Sequence, residues 1–183
     1  MTTTKEKNGF VSQRNFQRYM AEFYENEQAD SSVADPVSRD LLSSGNMKGR
    51  KGEYIVKGML EDMGYECRML NGFESCDIMV KIDGKWLGVE VKTGSMSSAN
   101  QYNFQKIKTF NFDLIALVFV GKDYTGVKIG GKKAKHFIDA WGTTQEEGQK
   151  IAFNAHRMNK RLRGRDDVFM DCVANNIPKL IAQ

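Results

Sequence analysis

Apolar positions change their spacing several times along this chain, and each change marks an element. Between Ser12 and about Glu27, Phe16, Tyr19, Met20, Phe23 and Tyr24 recur at i, i+3, i+4, i+7 and i+8, one face of a helix. Ser12 stands where an N-cap is expected, and Val11 with Phe16 has the spacing of a hydrophobic staple. The polar, turn-rich "NEQADSSVADPVSRDLLSSGN" then reads as a linker, with room for a short helix at its end. A second helix is expected from about Gly49 to Met63, closed by Gly64. Its buried stripe is Val56, Leu60 and Met63, flanked by Ile55 and Met59, and three residues back the stripe reaches Glu53. A carboxylate near a helix N-terminus is also favoured by the helix dipole alone.

Strand patterns follow at Tyr65–Leu70, Cys76–Ile82 and Trp86–Lys92, then a shorter helix over Ala99–Phe110. "DLIALVFV", Asp113 to Val120, is a continuous apolar run, as expected of a central strand buried on both faces. "YTGVKI" adds an edge strand. From Lys132 onward the pattern reads as mostly helical, with Ile151, Ala155, Met158 and Leu162 as an apolar stripe. Arg157, Lys160 and Arg161 project from the opposite arc, with Arg163 and Arg165 close by. A basic amphipathic helix of this kind serves nucleic acid, an acidic membrane surface or plain solvent. The expected fold is α/β: a helix and linker over 1–47, a mixed-sheet core over 48–130, and a helical basic extension over 131–183.

The turn Asp83-Gly84 sets the register of the central hairpin, because a two-residue type I′ loop needs positive φ at both positions. Opposed residues then have numbers summing to 167. Ile78, Val80, Val89 and Val91 share a core face, and Asp77 falls opposite Glu90 on the other. Like charges so placed destabilise a sheet. Lys92 lies one step beyond Glu90 on the same face. A divalent cation with hard oxygen ligands would reverse that repulsion, and Lys92 would then stand ready to orient a water molecule. Alternating charge on a solvated strand, with Asp77 as a turn residue, explains the same letters without chemistry.

Composition narrows the partners only a little. The 183 residues carry a net charge of +4, unevenly spread. Residues 1–47 hold five Lys/Arg against seven Asp/Glu, which leaves +6 on the remainder. A basic body is suited to nucleic acid. Cys67, Cys76 and Cys172 fit neither a zinc spacing nor a disulfide framework, and His136 and His156 lie in no metal-ligand pattern. No apolar run approaches a membrane span and no secretory signal opens the chain, so no membrane partner and an intracellular, cytoplasmic setting are expected.

Together these residues resemble the PD-(D/E)XK nuclease superfamily: Glu53 in a first helix, Asp77 opening a strand, then Glu90-Val91-Lys92 on the next, within an αβββαβ core. "KGRKGEYIVKGMLEDMGYECRML" followed by "VEVKTG" is similar to archaeal Holliday-junction resolvases. The resemblance covers about residues 48–120, and Cys76 stands where the superfamily name has proline. It implies Asp77, Glu90 and the carbonyl of Val91 as ligands of Mg²⁺, with Mn²⁺ as a substitute. It further implies Glu53 at a second metal or its water, Lys92 at the attacking water, and Gln105 as a polar residue near DNA. Lys48, Arg50 and Lys51 would grip phosphate beside the site, and the basic helix around Arg157–Arg165 would lie along double-stranded DNA. The long flanks favour a site-specific double-strand endonuclease of homing or restriction type, working as a dimer or larger homo-oligomer. A junction resolvase and a non-catalytic DNA-binding module are the alternatives, with a regulatory protein docking through Phe16–Tyr24 a further one.

Overall fold

The computed structural model describes residues 9–31, 45–70, 75–120, 125–154 and 167–183. A short strand β1 (Phe10–Val11) leads into helix α1 (Gln13–Ser31), and α2 (Gly45–Asp62) follows. Strands β2 (Glu66–Met69), β3 (Ile78–Ile82), β4 (Lys85–Ser95), β5 (Gln101–Ile107), β6 (Leu114–Val120) and β7 (Thr125–Gly130) come next. The chain closes with α3 (Lys132–Trp141), β8 (Thr143–Gln145), β9 (Gly148–Asn154), β10 (Met170–Asp171) and α4 (Ile177–Ile181). The α/β class expected from the sequence is the observed one. Among the described residues, no helix is long and apolar enough to cross a membrane.

The main sheet is mixed, in the order β1-β7-β6-β4-β3-β2, with β10 also paired to β7. Segments from both ends of the chain are thus woven into it. β4 and β6 run parallel, and the other described pairings in this sheet are antiparallel. The central hairpin has the expected register, from Ile78↔Val89 to Ile82↔Lys85. Asp83 and Gly84 hold φ of 49° and 79°, the left-handed pair that a type I′ turn requires.

β6 is the spine. Leu114, Ala116 and Val118 join the cluster beneath the helices, with Val56, Leu60, Ile78, Val80, Val89 and Val91. Ile115, Leu117 and Phe119 face the opposite way, into a second cluster with Tyr102, Phe104, Ile107, Ile138 and Phe169. The apolar run read from sequence is therefore a strand buried on both faces, as expected. Ser12 Oγ accepts from the Asn15 amide at 3.2 Å, so α1 is capped where its sequence places a cap. α1 packs through Tyr19, Met20 and Phe23, while Phe16 and Tyr24 stay 38% and 47% exposed. Its buried face is narrower than the five-residue stripe suggested. The Tyr19 hydroxyl donates to the Asp62 carboxylate of α2 at 2.5 Å, and Arg18 pairs with the same group.

Two elements differ from expectation. Residues 101–107 form β5 rather than a helix, and β5 pairs antiparallel with β9 in a second sheet ordered β5-β9-β8. The link between parallel β4 and β6 thus runs through a strand of another sheet. Ile151, assigned to a helical stripe, lies instead on β9 opposite Phe104. The other stripe members, Ala155, Met158 and Leu162, lie outside the described residues. The extension after residue 131 does begin with a helix, α3, but its described part also contains β8, β9 and β10.

Leu117 is fully buried between the two sheets. Leu117→Ala should cost about 2–5 kcal/mol, because a cavity there is walled by strands that cannot collapse onto it. Urea unfolding checks this, and a loss below ~1 kcal/mol would show that the second sheet packs loosely.

Candidate active site

Glu53, Asp77, Glu90 and Lys92 reach one region from three elements. α2 brings Glu53 there through a close approach to β4: a Cβ on the neighbouring Gly52 would lie only 1.9 Å from Thr93 Oγ1. A residue with a side chain at position 52 would push that helix, and Glu53 with it, away from the strand. Thr93 Oγ1 is itself buried without a hydrogen-bond partner among the described residues, so contact rather than bonding sets the spacing.

The β3–β4 ladder ends at Ile78↔Val89, so Asp77 is not a regular backbone partner of Glu90. Its amide donates to the Val89 carbonyl at 3.0 Å, and its carbonyl accepts from the Leu70 amide at 2.9 Å. Its carboxylate takes over where the ladder stops, accepting from the Val91 amide at 2.6 Å. In an extended strand a residue's N–H and C=O leave on the same side, so the Val91 carbonyl is directed towards Asp77 as well. Cys76 is buried over Gly88.

Each acid has its own partner. Arg50 Nη1 lies 2.7 Å from Glu53 Oε2, and Lys92 Nζ lies 2.5 Å from Glu90 Oε1. The side chains of Glu90, Glu53 and Lys92 are 12%, 15% and 24% exposed, within reach of solvent yet mostly withdrawn from it. Burial raises the carboxyl pKa of all three acids. The charge of Asp77 raises Glu53 and Glu90 further. Val91's amide, Lys92 and Arg50 oppose the rise at Asp77, Arg50 opposes it at Glu53, and Lys92 opposes it at Glu90. Three carboxyls that burial makes unfavourable as anions form an environment that favours a proton or a nearby cation. Among the described residues no three His, Cys, Asp or Glu side chains already form a metal cage, and Glu53 and Glu90 each pair with a basic neighbour.

No protein-family model matches the chain, and no curated protein does. Among solved structures it is similar to one described as a bacterial homing endonuclease, I-Ssp6803I. The two share 16% identity at a TM-score of 0.47, over 60% of this chain and 78% of that one.

The remaining predicted residues are placed as follows. Gln105 is exposed on β5, a strand that packs along β4. Arg50 serves Glu53 and lies over the Tyr54 ring, at 5.5 Å. Lys51 lies 5.6 Å from each of the Phe23 and Tyr24 rings, so it helps hold α1 to α2, while Lys48 is exposed on α2. Arg157, Lys160, Arg161, Arg163 and Arg165 fall outside the described residues. Sequence reasoning missed Lys108, just beyond β5, whose positive charge stabilises the Glu90 carboxylate. The available signal was the Lys-x-Lys spacing of Lys106 and Lys108, obscured by the helical reading of that stretch.

Raised carboxyl pKa values mean that the folded protein holds more protons than the unfolded chain between the ordinary carboxylate range and the raised values. Stability therefore falls as pH rises through that window and stays lower above it. Glu53→Gln, by removing one such group, should stabilise the metal-free protein at pH 7 by roughly 1 kcal/mol, or about 2–4 °C. The gain should shrink as pH drops through the window. Thermal melts in a chelating buffer test this, and a lower Tm at pH 7 would mean that the Arg50 pair outweighs the repulsion.

Proposed function

We propose that this chain is a metal-dependent endonuclease that cuts double-stranded DNA at specific sites, in the manner of homing or restriction enzymes. The observation that carries the reading is the meeting of Glu53, Asp77 and Glu90, raised in pKa by burial and by one another, with Lys92 against Glu90. Two features answer the solvated-strand alternative: these side chains are mostly withdrawn from solvent, and Asp77 leaves the ladder to bond the Val91 amide.

The donor set suits a hard divalent cation, since carboxylates and a backbone carbonyl are the ligands Mg²⁺ and Mn²⁺ favour. Asp77, Glu90 and the Val91 carbonyl would hold it, with Glu53 at a second ion or its water. Such an ion supplies an acidified water and neutralises phosphate charge. The chain's own residues do the rest. Lys92 orients the attacking water and offsets negative charge growing on the phosphate. Arg50, held by Glu53, and Lys108, whose charge reaches Glu90, offer cations to the flanking phosphates. Asp77, through the Val91 amide, fixes β3 and β4 relative to each other, so all three ligands would come from one rigid hairpin.

The test is cleavage of long duplex DNA and of a four-way junction, with Mg²⁺ and with EDTA, by the wild type, Asp77→Ala and Lys92→Ala. Discrete fragments should form from duplex only with metal, and both variants should lose at least ~100-fold in rate. Cutting confined to the junction would make the protein a resolvase. Binding without cleavage, unchanged in the variants, would overturn the catalytic reading in favour of a binding module.

A further inference from the structure

The second sheet has two unlike faces. Its inner side, with Tyr102, Phe104, Ile107 and Ile151, is buried against β6. Its outer side follows from the register Asn103↔Ala152 and Gln101↔Asn154, with Lys150 one alternation further along β9. A bulge then intervenes. Gln105 and Lys106 together stand between the pairs Phe104↔Ile151 and Ile107↔Gln149, where β9 offers only Lys150. Lys106 takes φ of 57° there, and both bulge residues stay exposed.

The resulting surface is chemically selective. Asn103, Gln105 and Lys150 have no side-chain hydrogen bond or ion pair among the described residues. No carboxylate occupies an outward position of β5 or β9. The nearby Glu147, in the β8–β9 turn, is paired with Lys106 at 2.6 Å. An outward face of amides and a lysine, with the small exposed Ala152 among them, has little use in a core and suits an anionic partner with many hydrogen-bonding groups.

We infer that the outer face of the β5–β9 ribbon enters the major groove of double-stranded DNA and reads base edges through Asn103, Gln105 and Lys150. This inference rests on the DNA-cutting reading above and names where its sequence specificity resides. β8 reaches along β9 no further than Lys150, so from Ile151 to Asn154 the sheet is only two strands wide. Such an antiparallel ribbon fits the major groove, an amide side chain pairs two-pronged with adenine, and lysine donates to guanine. Continuity with the site supports the assignment. β5 runs directly into Lys108, whose charge acts on Glu90. At about 3.3 Å per strand residue, Asn103 lies within roughly 17 Å of Lys108, about five base-pair steps.

The experiment is selection of bound duplexes from a randomised pool, in EDTA, by the full chain and by Asn103→Ala/Gln105→Ala/Lys150→Ala, with cleavage in Mg²⁺ assayed alongside. The wild type should enrich a motif. The triple variant should lose preference at two or three positions, by roughly 5- to 150-fold each, while binding to random duplex stays within about threefold. Asn103→Ala alone should relax a single position, and circular dichroism should show every variant folded. An unchanged motif in the triple variant, no motif from the wild type, or equal binding to duplex RNA would each overturn the inference. If the protein cuts DNA with an unchanged motif, the nuclease reading stands and this one falls. A motif lost in the variant from a protein that never cuts would leave the ribbon standing and sink the nuclease.

Discussion

The structure depends on the parallel pairing of β4 with β6. β6 is apolar on both sides, so it can be satisfied only between two layers, and its seven-residue pairing with β4, Val89↔Leu114 to Ser95↔Val120, fixes β4 beside it. Slipping β4 by one residue would send Val89 and Val91 out of the core and Glu90 and Lys92 into it. Hydrophobic burial thus decides where the charges stand. The antiparallel hairpin transmits that register to β3, and Asp77 makes the last connections, its amide to the Val89 carbonyl and its carboxylate to the Val91 amide.

At the site the usual rules of stability are set aside locally. Three carboxyls share a region that burial makes unfavourable for anions, relieved only in part by Arg50, Lys92 and a backbone amide. A fold tolerates such a conflict when the rest of its core is consistent, and conflicts of this kind are where function is sought. The surrounding core qualifies, since the described residues form two apolar clusters and contain no fully buried charged residue.

Much of this was legible in the sequence because a few residues carried decisive local constraints. Asp83-Gly84 pinned the hairpin, and with it the neighbourhood of Asp77, Glu90 and Lys92. The spacing of Val56 and Leu60 located α2 and set Glu53 at its inner edge. What misled was a bulge. Tyr102 and Phe104 alternate as a strand should, but the extra residue before Ile107 makes a step of three, which imitates a helix. On β9 a similar confusion arose from Ile151, whose strand partner lies 47 positions earlier and so leaves no local trace. The approach of α2 to β4 at Gly52 was equally silent, because a glycine that permits contact looks in sequence like one that permits a bend.

The two-faced second sheet separates two kinds of inheritance. Its inner residues answer to β6 and the core, so they change only at the expense of the fold. Of its outer residues, Asn103, Gln105 and Lys150 hold no side-chain hydrogen bond or ion pair within the described chain, so these positions can vary one at a time. On the proposed reading, a lineage carrying this architecture would revise which sequences it addresses by single substitutions on an outward strand, while Asp77, Glu90 and Lys92 are handed down untouched.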